Sequence, residues 1–156
     1  MKAEWIDYLR TIGIKDLFLD RCKEIFNFYQ QIYPDQIKDI FVSEYLDKEG
    51  NRQYESIWFF SETTVMEAKK FLEEDDFDSV PLNKQVKYWS VKKTEYNFIR
   101  ATTKSRMVIK FSLLSGSGCS LKASRENCDS LKSIFIKYII TNTMECTVIA
   151  QQEGVE

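Results

Sequence analysis

The sequence predicts an α+β protein in which N-terminal helices precede a curved antiparallel sheet or barrel, closed by a C-terminal amphipathic helix. Three observations support this class. Apolar residues recur at helical spacing near both ends, the middle of the chain carries strand-like patterns, and a charged connection joins two of these patterns as a hairpin. The predicted order gives a helical segment at 1–36, an antiparallel β domain with its helix at 37–142, and a tail at 143–156.

The composition agrees with a compact fold. The chain has 156 residues, of which 44% are hydrophobic, and it contains 5 Gly and 2 Pro. A chain of this length can bury roughly two thirds of the surface that its unfolded form exposes. Such a composition excludes the disordered class.

Two helices are predicted before the sheet. Apolar residues at helical spacing between Trp5 and Ile12 predict a short helix, which Gly13 ends. The same spacing predicts a longer helix from Ile14 to Ile32, which stops before Pro34. We expect the two helices either to rest on the sheet as a hairpin or to face a second subunit.

A hairpin is predicted between Ile37 and Glu62, where two β-rich runs flank the charged sequence DKEGN. Its second strand contains the consecutive residues Trp58, Phe59 and Phe60. A strand with one face in water would not carry all three, so we expect both faces of this strand to be covered.

The next segment, from Thr64 to Leu72, is ambiguous. Thr64 and Glu67 form a potential capping box, which favours a helix. The aromatic strand before it needs a pairing neighbour, however, and we predict a strand. Further strands are predicted at VKYWSVKK, TEYNFI, RMVIKFSLL and CSLKAS, with a turn at SGSG. Ser124 is expected to cap a final amphipathic helix that ends near Asn142.

The formal net charge of −2 hides two oppositely charged halves. From Glu62 to Asp78, seven acidic residues accompany two basic ones, whereas from Lys84 to Lys110 eight basic residues accompany one acidic residue. This asymmetry is the feature of the sequence that is most informative for function.

Both charged runs supply candidate binding residues. The basic side chains of the basic run can contact the phosphates of a nucleic acid while its aromatic side chains stack on bases or on a peptide. Tyr88 and Trp89 point to opposite faces of a strand, so only one of them is expected to be a surface platform. The acidic run is interpreted as a solvated loop that neutralises the basic run, since it lacks the ligand order of an EF-hand. The candidate residues are Lys84, Lys87, Trp89, Lys92 and Lys93, together with Glu73, Glu74, Asp75, Asp76 and Asp78.

No catalytic residue, metal ligand or cofactor site is predicted. The chain contains no His, and its 4 Cys show no C-x-x-C spacing. Cys22 and Cys128 fall on helix stripes and are expected to be core residues. Reduced thiols, the acidic residues Glu4 and Asp7 near the N-terminus and the lack of a long apolar run predict a cytoplasmic protein without a transmembrane segment.

From about Ile37 to Asn142, the meander, the late Gly-Ser turn and the single closing helix resemble a pleckstrin-homology-like (PH-like) barrel, in which a C-terminal helix plugs one open end of a bent sheet. Phosphoinositide-binding members of that superfold carry several Lys and Arg residues in and after the first hairpin loop. This chain departs from that pattern, because its loop is charge-balanced. The residues there are Asp47, Lys48, Glu49 and Arg52.

A second resemblance concerns catalysis. Glu67-Ala68-Lys69, preceded by Asp47 and Glu55, resembles the acid, E-x-K layout of Mg²⁺-dependent nucleases. In those enzymes the carboxylates hold the metal and the lysine orients the attacking water. The Pro-Asp pair expected at the upstream acid occurs earlier in this chain, as Pro34-Asp35.

The favoured function is a non-catalytic binding or adaptor module that acts through protein–protein contacts, made by the N-terminal helices or the charged sheet faces. The first alternative is a cytosolic immunity or antitoxin protein whose acidic run blocks a basic partner. The second is the Mg²⁺-dependent nuclease. The expected partner is an unidentified protein, a phosphoinositide or a nucleic acid is less favoured, and the oligomeric state is left open.

Overall fold

The computed structural model describes residues 1–33, 35–97 and 103–144. Helices precede and follow a set of antiparallel strands, so the predicted α+β class is confirmed. The elements are α1 (Ala3–Thr11), α2 (Asp16–Ile32), β1 (Asp39–Leu46), β2 (Arg52–Phe60), β3 (Thr64–Lys69), β4 (Phe77–Pro81), β5 (Val86–Asn97), β6 (Thr103–Leu113), β7 (Gly118–Ser124) and α3 (Asn127–Ile134), which continues as a π-helix over Phe135–Ile140.

The described strands form two sheets and do not close into a barrel. The first sheet has the order β1-β2-β3-β4 and the second has the order β5-β6-β7, with antiparallel neighbours throughout. β1 and β7 meet at one corner, where side chains bridge the sheets. Ser43 Oγ accepts the backbone N–H of Lys122 at 2.9 Å, and Glu44 Oε1 accepts that of Ser124 at 2.7 Å.

The first sheet is covered on both faces, as predicted for its second strand. Trp58 and Phe60 belong to the apolar core between the two sheets, which α3 and the π-helix cap. Ile57 and Phe59 belong to a second core, formed with α1 and α2 on the opposite face. Consecutive apolar residues of β2 therefore serve two cores. The N-terminal helices were expected either to rest on the sheet or to face a second subunit. In the structure they rest on the first sheet.

The two helices are joined by a tight turn at Gly13. Its φ is +91°, which favours glycine, and its N–H donates to Arg10 O at 2.9 Å. The Tyr54 hydroxyl donates to Ile12 O at 2.7 Å and fixes this turn against the sheet. α2 then begins at Asp16, two residues later than predicted, and ends at Ile32 as predicted. Pro34 lies outside the described residues.

Several predicted strand boundaries need correction. The strand predicted from Thr64 to Leu72 is confirmed as β3, which ends at Lys69. The runs VKYWSVKK and TEYNFI form one continuous strand, β5, as far as Asn97, and the end of the second run lies outside the described residues. The acidic run is not entirely a loop, because Phe77 and Asp78 begin β4. Phe77 pairs with Ala68 of β3, and its ring lies 5.0 Å from that of Phe28 in α2.

The prediction that Ser124 caps the final helix is wrong. Ser124 is the last residue of β7, and its hydroxyl donates to Glu44. The chain then turns through Arg125, whose φ is +52°, and α3 begins at Asn127. The C-terminal half of the predicted helix is the π-helix, which ends at Ile140.

Candidate functional site

The acidic run is partly neutralised by residues outside the basic run. Arg21 of α2 pairs with Asp75 at 2.6 Å and donates to the backbone oxygens of Phe71 and Glu74. Lys69 of β3 pairs with Asp78 at 2.6 Å. The ion pairs of the acidic run in the described part of the chain are made with α2 and β3, so they do not support the interpretation that the acidic run neutralises the basic run. Glu73, Glu74 and Asp76 are exposed.

The basic run is divided between the two faces of β5. Tyr88, Ser90 and Lys92 lie opposite Ser112, Lys110 and Val108 of β6 and face away from the core. Trp89, Val91 and Lys93 lie opposite buried residues of β6 and face α3 and the π-helix. The charge of Lys93 acts on the thiol of Cys128 in α3.

Lys84 has a structural position. It lies between β4 and β5 with a φ of +54°, and its Nζ donates to the backbone oxygen of Thr141 at 2.6 Å. Its backbone N–H donates to Asn142 Oδ1 at 3.2 Å. Lys84 therefore joins this turn to the end of the C-terminal helix. Lys87, the next candidate, is exposed.

Tyr88 and Trp89 are both exposed, which differs from the expectation that only one of them is a surface platform. Tyr88 is 62% exposed on the outer face, and Trp89 is 39% exposed on the inner face. Trp89 keeps this exposure because β5 is the edge strand of its sheet. Its ring makes an edge-on contact with Phe135 of the π-helix, with centroids 4.9 Å apart.

The outer edge of β5 is paired at one point. Val86 donates its N–H to Asn142 O at 3.0 Å and accepts the N–H of Met144 at 2.9 Å, which forms a parallel bridge. Within the described part of the chain, no further backbone hydrogen bond reaches this edge between Tyr88 and Thr94. Among the described residues, β5 therefore presents an open strand edge from Tyr88 to Thr94, beside exposed apolar side chains of the C-terminal helix.

The residues of the E-x-K pattern lie in a cleft between the sheets. Glu67 and Lys69 share one face of β3, and the cleft, of about 620 Å³, also contains Glu55 of β2 and Lys122 of β7. Lys122 Nζ lies 3.1 Å from Glu55 Oε1. Asp47, the other proposed acid, is not in this cleft. It caps the β1–β2 turn, where its Oδ1 accepts two backbone N–H groups.

Burial raises the pKa of Glu67, an effect that its hydrogen bond with Ser56 and the charge of Lys69 oppose. Burial also raises the pKa of the Cys119 thiol to about 11, and the negative charges of Glu67 and Asp78 raise it further. The cleft thus disfavours additional negative charge. Among the described residues, no group of acidic, Cys or His side chains has the arrangement needed to hold a metal ion.

Sequence reasoning missed several residues that belong with the candidate set. Arg106 and Lys110 of β6 and Lys122 of β7 share the outer face with Lys92, because the register places their strands side by side. Alternation within each strand indicates which residues share a face of that strand. The register between strands is set by packing, and no signal in the sequence fixes it.

Cys22 and Cys128 agree with their predicted role as core residues, whereas Cys119 is only partly buried. Cys22 and Cys128 are buried, and burial raises the pKa of each thiol to about 11. Cys146 lies outside the described residues, as does most of the tail predicted at 143–156. None of the described helices combines the length and the apolar character required to cross a bilayer.

Comparisons with known proteins do not assign the chain to a family. No family model matches it, and no curated protein matches it. A solved structure, the C-terminal domain of an unknown protein from Leishmania infantum, is similar over 76% of this chain and 98% of that chain, with a TM-score of 0.46 and 8% sequence identity.

Proposed function

We propose that this protein is a non-catalytic binding module that acts through protein–protein contacts, and that the open edge of β5 receives a partner strand. The observation that carries this proposal is the unpaired edge between Tyr88 and Thr94 in the described part of the chain. An exposed strand edge offers a row of N–H and C=O groups, and an extended peptide can extend the sheet by pairing with them.

The bridge at Val86 supports this mode of binding. At this residue the edge already forms two backbone hydrogen bonds in parallel orientation, one donated by Val86 to Asn142 and one accepted by Val86 from Met144. The backbone of β5 is therefore oriented so that a neighbouring strand can pair with it. A partner peptide would extend the same edge beyond Val86.

Apolar side chains next to the edge supply specificity. Trp89 and Val91 are 39% and 41% exposed on the inner face of β5, and Trp89 contacts Phe135. Ile136 and Ile140 of the π-helix are 51% and 43% exposed. Burial of such side chains contributes about 25 cal/mol per Å² of apolar surface, and aromatic residues in partly preformed pockets are frequent binding hot spots.

The test uses a library of displayed random peptides selected against the full chain. Selected peptides are expected to bind the wild type, with binding lost in Trp89→Ala and in Val91→Lys. A matched control is Leu17→Ser, since Leu17 is 80% exposed on α2, on the far side of the first sheet. Equal binding to the wild type, both edge variants and the control would overturn the proposal.

Fluorescence supplies a second readout. Trp5 and Trp58 are buried, whereas Trp89 is partly exposed, so a collisional quencher acts mainly on Trp89. A bound peptide is expected to protect Trp89 from the quencher. Unchanged quenching in the presence of saturating peptide would place the binding site elsewhere.

The two alternative functions have less support. An immunity protein would use the acidic run, but Asp75 and Asp78 are already paired with Arg21 and Lys69. A nuclease would use Glu67 and Lys69, but the same pair with Asp78 occupies the lysine. The immunity protein is tested by charge reversal of exposed acids such as Glu74, which should abolish binding to a basic partner. The nuclease is tested by Mg²⁺-dependent cleavage of nucleic acid, which should be lost in Glu67→Gln.

A PH-like architecture is part of the same proposal. It is supported by the order of a four-stranded sheet, a three-stranded sheet and a C-terminal helix among the described elements. An experimental structure in which the strand order or handedness differs from that superfold would reject it. The binding proposal does not depend on this point, because a shared fold does not fix a function.

A further inference from the structure

A second surface lies on the outer face of the sheet β5-β6-β7, away from the core. Residues alternate along β6, where Met107, Ile109 and Phe111 are buried and the residues between them face outward. The cross-strand register places four basic residues together on this outer face, which we name the basic sheet face. Its basic residues are Lys92, Arg106, Lys110 and Lys122.

The positive charge of the basic sheet face is poorly compensated. Lys122 pairs with Glu55, but Lys92, Arg106 and Lys110 have no ion-pair partner within the described part of the chain. The sequence from 105 to 124 contains no acidic residue. Like charges on neighbouring strands repel one another, so the arrangement favours a negatively charged partner.

The positions of the cations suit an extended anionic chain. Arg106 and Lys110 are four residues apart on β6, which corresponds to about 13 Å along a strand. Lys92 and Lys122 flank Val108 from the two neighbouring strands. A recess of about 340 Å³ lies between Lys92, Arg106 and Lys122. Tyr45 and the buried Glu44 of β1 also line it, and the Glu44 carboxylate is already hydrogen-bonded to Ser124 and Asn127.

An exposed aromatic ring accompanies the cations. Tyr88 is 62% exposed on the outer face, and its strand neighbour across the sheet is Ser112. A flat sheet that combines cations with an exposed ring is suited to bases that stack on the ring and phosphates that contact the cations. Apart from Tyr88, the outward side chains of β5 and β6 that the structure describes, at 90–94 and 106–112, are charged, hydroxylic or half-buried, which is unfavourable for insertion into a bilayer.

We propose that the basic sheet face binds single-stranded nucleic acid, with phosphates on Lys92, Arg106 and Lys110 and a base stacked on Tyr88. This surface is separate from the inner-face residues of the proposed peptide site, because Trp89 and Tyr88 face opposite sides of β5. Either proposal can fail while the other holds.

The test measures binding of the full chain to fluorescein-labelled single-stranded RNA and DNA of mixed sequence and about 12 nucleotides, by fluorescence anisotropy. Three phosphate contacts predict that log K falls with log salt concentration with a slope of about −2. Arg106→Glu combined with Lys110→Glu is expected to lower the affinity at least about tenfold and to reduce the slope. Tyr88→Ala is expected to lower the affinity and leave the slope unchanged.

The matched control reverses the same number of charges elsewhere. Lys15→Glu combined with Lys23→Glu changes two exposed lysines associated with α2, and it is expected to leave the affinity within about twofold of the wild type. An equal loss in this control would overturn the proposal, as would the absence of binding at low salt. Binding to phosphatidylserine vesicles without binding to either oligonucleotide would overturn it in favour of a membrane surface. Trp89→Ala is expected to leave oligonucleotide binding unchanged.

Discussion

Ser124 donates its backbone N–H and its hydroxyl to the carboxylate of Glu44, at 2.7 Å and 2.6 Å. Glu44 is fully buried, and its oxygens also receive the side-chain amide of Asn127 at 3.2 Å and lie 3.6 Å from Arg52 Nε. One carboxylate thus joins β1 to β7, to α3 and to β2. It takes the place of a backbone ladder at the corner where the two sheets meet.

Glu44→Ala is expected to lower the free energy of unfolding by about 3 kcal/mol, because the buried N–H and hydroxyl of Ser124 lose their acceptor, and Asn127 and Arg52 each lose one of their acceptors. Ser124→Ala removes a single donor and is expected to cost about 1.5 kcal/mol. Urea denaturation followed by circular dichroism measures both.

The matched control is Glu4→Ala, since the Glu4 side chain is 71% exposed. This variant is expected to change the free energy of unfolding by less than about 0.5 kcal/mol. A Glu44→Ala variant as stable as this control would show that the carboxylate does not join the sheets.

The contact between Glu44 and Ser124 at this corner could not be predicted from the sequence. Helical spacing was enough to predict α1 and α2, and the turn sequence was enough to predict the β1–β2 hairpin. Glu44 and Ser124 are 80 residues apart. Nothing in the local sequence distinguishes a buried Glu that accepts hydrogen bonds from an exposed one, so local sequence favours Ser124 as a helix cap.

As with the fold, the local features of the candidate site were predictable from the sequence, but its contacts between distant residues were not. Local charge indicated Lys92 as a binding residue, but its neighbours Arg106 and Lys122 come from strands whose register depends on tertiary packing. Composition does not identify the ion-pair partners of the acidic run. Arg21, which binds Asp75, lies 54 residues earlier in the chain. Aromatic alternation indicated the two faces of β5, but it could not show that the strand lies at a sheet edge.

A glycine series separates backbone strain from steric overlap. A Cβ at Gly13 would lie 2.8 Å from the Tyr54 hydroxyl, at a φ of +91°, so Gly13→Ala is expected to cost about 2 kcal/mol or more. Gly116 has a φ of +93° but open space around it, so Gly116→Ala is expected to cost about 1 kcal/mol from strain alone. Gly118 has neither feature, and Gly118→Ala serves as the control. Thermal unfolding measures all three, and equal melting temperatures would contradict the geometry of the Gly13 turn.

The pH dependence of stability should report the burial of Glu67. Its folded pKa is raised above the ordinary value of 4.5, chiefly by burial, so the folded state binds this proton more tightly than the unfolded state. Stability then falls as the pH rises from 4.5 through the folded pKa, since the native state holds more protons in this window. Glu67→Gln removes this dependence. The free energy of unfolding of Glu67→Gln minus that of the wild type is expected to increase from about pH 4 to about pH 8. Urea denaturation at each pH measures this difference.

The control for the Glu67 prediction is Glu62→Gln, since Glu62 is exposed at the turn between β2 and β3. The difference in stability between this variant and the wild type, measured over the same range of pH, is the reference for Glu67→Gln. If the difference for Glu67→Gln varies with pH no more than this reference, Glu67 is solvated in the folded protein.

Cys119 provides a probe of the charge in the cleft between the sheets. Burial together with the charges of Glu67 and Asp78 raises the pKa of its thiol from 9.0 to about 11, so the native thiol is expected to react with iodoacetamide about 100-fold more slowly than an unperturbed one. Asp78→Asn removes one of these negative charges and frees Lys69, which lowers the pKa of the thiol. Alkylation of Cys119, followed by peptide mass spectrometry, is therefore expected to be faster in Asp78→Asn.

Cys22 in the same samples is the internal control. The pKa of its thiol is raised by burial in the core formed with α1 and α2, so its rate of alkylation should not change. Equal acceleration at both cysteines would indicate general loosening of the fold, and an unchanged rate at Cys119 would show that the two sheets are too far apart at this point for the charges of β3 and β4 to act on β7.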